Sequence, residues 1–210
     1  MNIRNLHFTW TIVALFSFVS IGCDEELPSP PKGAESVFTD ARDNKSYKTV
    51  EIGSQIWMAE NLAFSIDSGI ASWNRNTSFG YLYNWETAVK AAPEGLHLPT
   101  KEEWEELIEY LGGSDVAGGR MKENGTTWEH PNTDGTNSSG FTARPAGYKN
   151  IANSAGVELF LGEGRWGYWW SSTLDSSSYA WAVRLHNSDG NAIVNDYNPK
   201  MAFSVRCIKD

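Results

Sequence analysis

The sequence predicts an α+β fold in one domain, and three observations carry that expectation. Two amphipathic helix patterns lie in the first half, in "NWETAVKAAPEG" and "PTKEEWEELIEYLGG". Strand-type alternation dominates the last third, as in "YAWAVRL" and "MAFSVRCI". Between them runs a stretch without period, "GTTWEHPNTDGTNSSG", and 19 glycines with 10 tryptophans make a loop-rich, aromatic-rich chain rather than a helical bundle. Segregated helices and strands, as opposed to regular alternation, are the mark of α+β. The 210 residues suffice for one good-sized core.

The elements follow in chain order. Val50 and Ile52, then Ile56 and Met58, alternate on either side of Gly53-Ser54, which predicts a tight hairpin. Trp85, Ala88, Val89 and Ala92 recur at helical spacing, with Asn84 placed to cap and Pro93 and Gly95 to stop the helix. Thr100 and Glu103 have capping-box spacing. Trp104, Leu107, Ile108 and Leu111 follow at i, i+3, i+4 and i+7, one buried stripe. Glu102, Glu103, Glu105, Glu106 and Glu109 fill the rest of that helix. Acids in the first turn suit the helix dipole, and the run reads as a solvated face rather than a catalytic one. Gly112-Gly113 ends the helix. Further strands are expected in "GFTARPAGY", "GYWWSST", "YAWAVRL", "NAIVND" and "MAFSVRCI". Tyr179, Trp181, Val183 and Leu185 share one strand face, and Phe203, Val205 and Cys207 share another.

The first residues do not belong to this pattern. Arg4 and His7 precede an apolar run from Phe8 to Ile21, too short to span a bilayer comfortably and of the length of a signal-peptide core. It ends in "SIGC", which resembles a bacterial lipobox with Cys23 as the lipidated residue, although Ser20 stands where a branched aliphatic is usual. The expected organisation is a signal peptide over 1–22, an acidic, proline-containing tether over 23–36, and one folded domain over 37–210. Cleavage would remove one of 17 basic residues and none of 26 acids, taking the charge from −9 to −10. An acidic surface repels phosphate backbones, so nucleic acid is not an expected partner. Acyl chains on Cys23 would supply the contact with a membrane. Asp24, Glu25 and Glu26 directly behind the cysteine resemble the surface-export signal of Bacteroidetes lipoproteins, so the expected location is the bacterial outer membrane or cell surface.

Five phrases in order carry a wider resemblance: "FTDARDNKSYKTVEIGSQIWMAENL", "YLYNWETAVKAAPEGLHLPTKEEWEEL", "GFTARPAGYKN", "YWWSST" and "FSVRCIKD". Together they resemble the Fibrobacter succinogenes major paralogous domain family over 37–210. The resemblance implies a C-type-lectin-like fold: two helices flanking a small twisted antiparallel sheet, with long loops. It implies no settled biochemical activity. The family usually writes "CPEGW" where this chain has "APEGL", so Ala92 replaces the cysteine that would pair with Cys207. Cys207 is then expected to be a buried small apolar side chain, with an intermolecular disulfide as the alternative.

"HLPTKEEWEEL" also resembles formylglycine-generating enzymes, which hold copper with a cysteine pair. Only Cys23 and Cys207 exist here, so that chemistry is not carried over. Paired-histidine zinc motifs, a nucleophile elbow and a P-loop are absent from the sequence. His97, between Leu96 and Leu98, reads as structural; His130 and His186 lie in or near loops with no nucleophile beside them in sequence. Two phrases resemble calcium-lectin motifs: "WEHPNTDG", with Glu129, Pro131 and Asn132, and "IVNDYN", with Asn195-Asp196. Asn and Asp are equally turn residues, and neither a metal nor any other cofactor is expected. Trp57, Trp85, Trp104, Trp170 and Trp181 read as core. Trp73, Trp128 and Trp166 lie in loop-like context, either exposed or packed within loops.

Long loops are expected over 118–139, 150–167 and 186–199. The candidate ligand contacts in them are Trp128, Trp166, His186, Asp189, Asn195 and Asp196, rings for area and short polar groups for orientation. The expected function is non-catalytic binding or adhesion at the cell surface, with glycan or protein as target. An enzyme or enzyme accessory acting on polysaccharide and a structural component of a surface assembly are the alternatives.

Overall fold

The computed structural model describes residues 32–66, 71–72, 77–151, 157 and 159–210. The expected signal peptide, Cys23, residues 23–31 of the expected tether and Trp73 lie outside the described residues.

The described chain is mostly β. In order it forms β1 (Glu35–Thr39), β2 (Ser46–Ile52), β3 (Gln55–Met58), β4 (Ala71–Ser72), β5 (Leu82–Asn84), helix α1 (Trp85–Ala91), β6 (Leu96–His97), α2 (Lys101–Tyr110), α3 (Ser114–Met121), β7 (Tyr148–Lys149), β8 (Phe160–Leu161), β9 (Trp166–Leu174), β10 (Ala180–His186), β11 (Ile193–Tyr197), β12 (Ala202–Phe203) and β13 (Ile208–Lys209). These strands make three sheets: β1-β2-β3-β13-β6, β4-β5-β12-β7-β8 and β11-β10-β9.

The lectin-like expectation of two helices flanking one small sheet is therefore overturned: the described residues form three sheets and three short α-helices. Six of these strands are only two residues long. An alternation of period two cannot show in two residues, so such strands hide in stretches that read as loops. Helix α3 hides for a different reason. Gly118 and Gly119 are poor helix formers, but both are needed for close approach. A Cβ on Gly118 would overlap the Asn191 carbonyl, and one on Gly119 would stand 2.6 Å from the Asp134 carbonyl oxygen. Part of the expected loop 118–139 is thus the end of a packed helix.

Elsewhere the expected strand in "GFTARPAGY" is realised only at Tyr148, the one in "MAFSVRCI" is split between β12 and β13, and the expected loop 186–199 contains β11; other local signals are realised. β2 and β3 form the hairpin, with Ile52 opposite Gln55 and Gly53 at φ +63° in the turn. Strand β3 is covered on both sides, so the neighbours Trp57 and Met58 are both buried, in different cores, while Ile56 is half-exposed. Asn84 Oδ1 accepts from the Thr87 amide at 2.9 Å to cap α1. In α2 the Glu103 amide donates to Thr100 Oγ1 at 3.2 Å, and the Thr100 amide to Glu103 Oε2 at 2.7 Å, a complete capping box.

The three-stranded sheet lies between two cores. Trp169, Val183 and Leu185 pack on one side with Trp57, Trp104, Leu107, Leu111 and Phe141. Tyr168, Trp170, Ala180 and Ala182 pack on the other with Tyr83, Ala88, Phe203 and Cys207. Arg206, fully buried, ties these layers together. Its guanidinium donates to the carbonyls of Met58, Phe141 and Thr142 and to Asn61 Oδ1, which also accepts from Trp169 Nε1 at 2.9 Å. Burial pulls its pKa down to about 9, and the acceptors around it are carbonyls rather than a carboxylate. Cys207 is a free, buried thiol that burial pushes up to about 12.

Candidate ligand-binding face

β9 and β10 are antiparallel, with Trp166 opposite His186, Tyr168 opposite Arg184 and Trp170 opposite Ala182. On the far side of β10, Asn195 of β11 stands opposite Ala182 and Tyr197 opposite Ala180. Alternation then puts Trp166, Tyr168, Arg184, His186, Asn195 and Tyr197 on one face of the sheet. The middle of that face is sealed by Phe203 and Tyr83. Its end is open: Trp166, Arg184, His186, Tyr197 and the neighbouring Tyr148 are half-buried, and Asn195 is exposed.

The rings form a continuous cluster. Trp166 stacks on Tyr168 at 5.9 Å between centroids and meets the His186 ring at 3.8 Å. Tyr168 in turn meets Tyr148 at 5.2 Å and Tyr197 at 5.5 Å, both edge-on. The Arg184 guanidinium lies 5.2 Å from the Trp166 ring centroid. Burial raises the Tyr168 and Tyr197 phenol pKa values, and the Arg184 charge opposes the rise at both. The Tyr197 hydroxyl is shielded from solvent and has the Asn195 side chain beside it, but forms no hydrogen bond of ordinary geometry.

His186 Nδ1 lies 2.6 Å from Ser188 Oγ and 3.8 Å from Asp189 Oδ2. Burial lowers its pKa; Asp189 opposes this, while Arg184, Lys122 and Arg165 add to it. The net effect favours the uncharged ring. Underneath, Lys122 holds the turn in place. Its ammonium is buried and donates to the carbonyls of Thr133 (2.6 Å), His186 (3.0 Å) and Asp189 (2.7 Å). Three donors meet three acceptors, so His186 and Asp189 are fixed from behind. Burial brings the Lys122 pKa down to about 8 against the pull of Asp189 and Asp134.

The expected contact residues divide. Trp166, His186 and Asp189 come together, and Asn195 joins the same face, although Trp166 opens strand β9 instead of lying in a loop. Asp196 does not join: it pairs with Trp181 and points to the opposite face. An exposed Trp128 is ruled out. It is 2% exposed, lies in the core, and donates from Nε1 to the Ala143 carbonyl at 2.9 Å. The flanking "GTT" and "EHPNTDG" look like a solvent loop but fold over the ring. Among the residues read as core, Trp57, Trp104 and Trp170 are fully buried; Trp85 is half-buried, and so is Trp181, with Lys101 4.8 Å from its ring. His97 is structural, bonded to Glu103 and Asp210.

Arg184, Tyr197, Tyr148 and Lys122 are what sequence reasoning missed. A signal existed for the first. In "AWAVRLH" the apolar residues Trp181, Val183 and Leu185 mark the buried face, and the other parity carries Arg184 and His186 to one place. Lys122 had no signal, since its partners are backbone carbonyls from distant loops.

A second feature lies close along the chain. An open groove of about 580 Å³ is lined by Ser78, Phe79, Thr126, Thr127, Glu129, Glu163 and Gly164. Both carboxylates are exposed, and Glu129 is 3.7 Å from Arg165. Among the described residues no three His, Cys, Asp or Glu side chains are grouped to hold a metal ion, and no helix is long and apolar enough to cross a membrane.

The model of the Fibrobacter succinogenes major domain matches residues 50–209, from within β2 to the end of β13. The chain belongs to that family. The match takes in Lys122, Trp166, Arg184, His186 and Arg206, so the candidate face and the clamps behind it are both parts of the family domain. No curated protein and no solved structure matches the chain.

Proposed function

We propose that this is a non-catalytic binding module held at the bacterial cell surface, with glycan as its target and the open end of the β9-β10-β11 face as its contact surface. The observation that carries this reading is the cluster of half-buried rings, Trp166, Tyr148 and Tyr197, with Arg184 and Asn195 among them, on a sheet braced from both sides. Rings offer flat area for sugar C–H faces, and polar groups fix orientation. A rigid support lowers the ordering cost of binding. The test is a glycan panel with the full-length chain in mild detergent. A retained glycan should be lost on Trp166→Ala; unchanged retention by both Trp166→Ala and Arg184→Ala would put the site elsewhere. The anchor is tested separately: Cys23→Ala should abolish incorporation of labelled acyl chains, and undiminished labelling would remove that part of the proposal.

A second reading, assembly through a protein contact, is favoured by one observation. Leu159, Phe160 and Leu161 are exposed at β8, the edge strand of its sheet. Edges with apolar side chains pair readily with other chains. Concentration-dependent sedimentation that disappears with Phe160→Lys would support it, and a monomer at all concentrations would dismiss it.

A further inference from the structure

We infer that the ligand of this face is a carboxylated glycan, a polymer of uronic acid residues; this rests on the glycan-binding reading above. The reason is the state of Arg184. The other described arginines have partners within the fold. Arg42 is bonded to Asp40, Arg144 to Glu123, Arg165 lies against Glu129, Arg120 donates to the Leu111 carbonyl, and Arg206 is ringed by carbonyls. Arg184 differs: its neighbours are the Tyr168 hydroxyl and the Trp166 ring, and it has neither a carboxylate within ion-pair distance nor a ring of carbonyls among the described residues. Acids are not scarce, since the chain has 26 against 17 basic residues. They are kept away: Asp189 is turned to His186, and Asp196 is sent to the other face by the register of β11.

A half-buried guanidinium among rings is poorly solvated and gains more from an incoming anion than an exposed one would. Its planar fork matches a carboxylate through two parallel hydrogen bonds. The groups around it suit the rest of a sugar. Tyr148, Trp166 and Tyr197 present ring surface, while His186, Ser188 and Asn195 offer hydrogen-bonding groups for hydroxyls. The Lys122 clamp holds the His186–Asp189 turn in its position before any ligand arrives.

The test compares probes that differ in one property, using the full-length chain in mild detergent. They are polygalacturonate, its methyl ester, neutral hydroxyethylcellulose and polyglutamate. Polygalacturonate should bind, at least about tenfold tighter than the ester, and Arg184→Gln should remove that difference while leaving the unfolding transition in place. Binding should weaken with salt. Arg184→Lys, which keeps the charge and loses the fork, should recover only part of the affinity. If the ester binds as tightly, or Arg184→Gln changes nothing, this inference fails while the glycan-binding reading stands. If polyglutamate binds as well as polygalacturonate, charge alone is being recognised and the inference also fails. If no glycan binds, both fall together. The ester comparison needs no variant, so it decides the matter even if Arg184→Gln does not fold.

Discussion

Lys122 and Arg184 are two cations that the fold treats in opposite ways. Lys122 is buried and its three donors are spent on three loop carbonyls, so it works as an internal brace. Arg184 is held on a rigid strand with aromatic neighbours and left without an acid among the described residues. Trp128 and Trp166 show the same division. Trp128 is surrounded and bonded through its indole N–H; Trp166 sits at the open end of β9. Trp128→Ala should therefore cost about 3–5 kcal/mol in denaturant unfolding, as large-to-small changes in a core do. Trp166→Ala should cost clearly less. Equal costs would mean that Trp166 is as much core as Trp128, and the proposed binding face would lose its main ring.

Among the elements, α2 shows how far a helix can be specified by its own residues. Its capping box and buried stripe are local, and both are legible in the sequence. Its glutamates are mainly solvent-facing, with Lys101–Glu105 pairing along the helix at 2.7 Å. Glu103 has a further role that spacing does not reveal. Its Oε1 lies 2.9 Å from His97 Nε2, and His97 Nδ1 lies 2.7 Å from Asp210 Oδ1, so one imidazole links the cap of α2, strand β6 and the C-terminal end. Burial would lower the His97 pKa, but its bonds to Glu103 and Asp210 outweigh that and raise it above 6.5. A raised histidine pKa stabilises the fold fully below the unfolded value and ceases to as pH rises through the folded value. The melting temperature of His97→Gln should thus fall furthest short of that of the parent below about pH 6.5, with the gap narrowing as pH rises through the raised folded value. A gap that is constant with pH would show that the imidazole carries no charge there. Helix α3 and the two-residue strands, by contrast, are not legible. Gly118-Gly119 in α3 answers to the backbone of Asp134 and Asn191, and β6, β12 and β13 exist only through partners far off in sequence.

At the scale of the molecule, β9 is the shared wall of the architecture. Its Trp169 belongs to one core, and its Tyr168 and Trp170 belong to the other. A sheet covered on both sides can leave a face open only at its end, and that is where Trp166, Arg184, His186 and Tyr197 meet. The candidate site is half legible in the sequence. Trp166, His186 and Asp189 stand out by residue type. Arg184 and Tyr197 depend on strand register, and Trp128 misleads because polar loop residues that cover a ring look the same as those that expose it. The most direct test of the binding face is an amide and side-chain NMR titration of the 15N-labelled full-length chain with oligogalacturonate. The account predicts that the Trp166 indole N–H and the Arg184 Nε–H shift, while the indoles of Trp57, Trp104, Trp128 and Trp169 stay in place. Saturable binding that leaves Trp166 and Arg184 unmoved would contradict it.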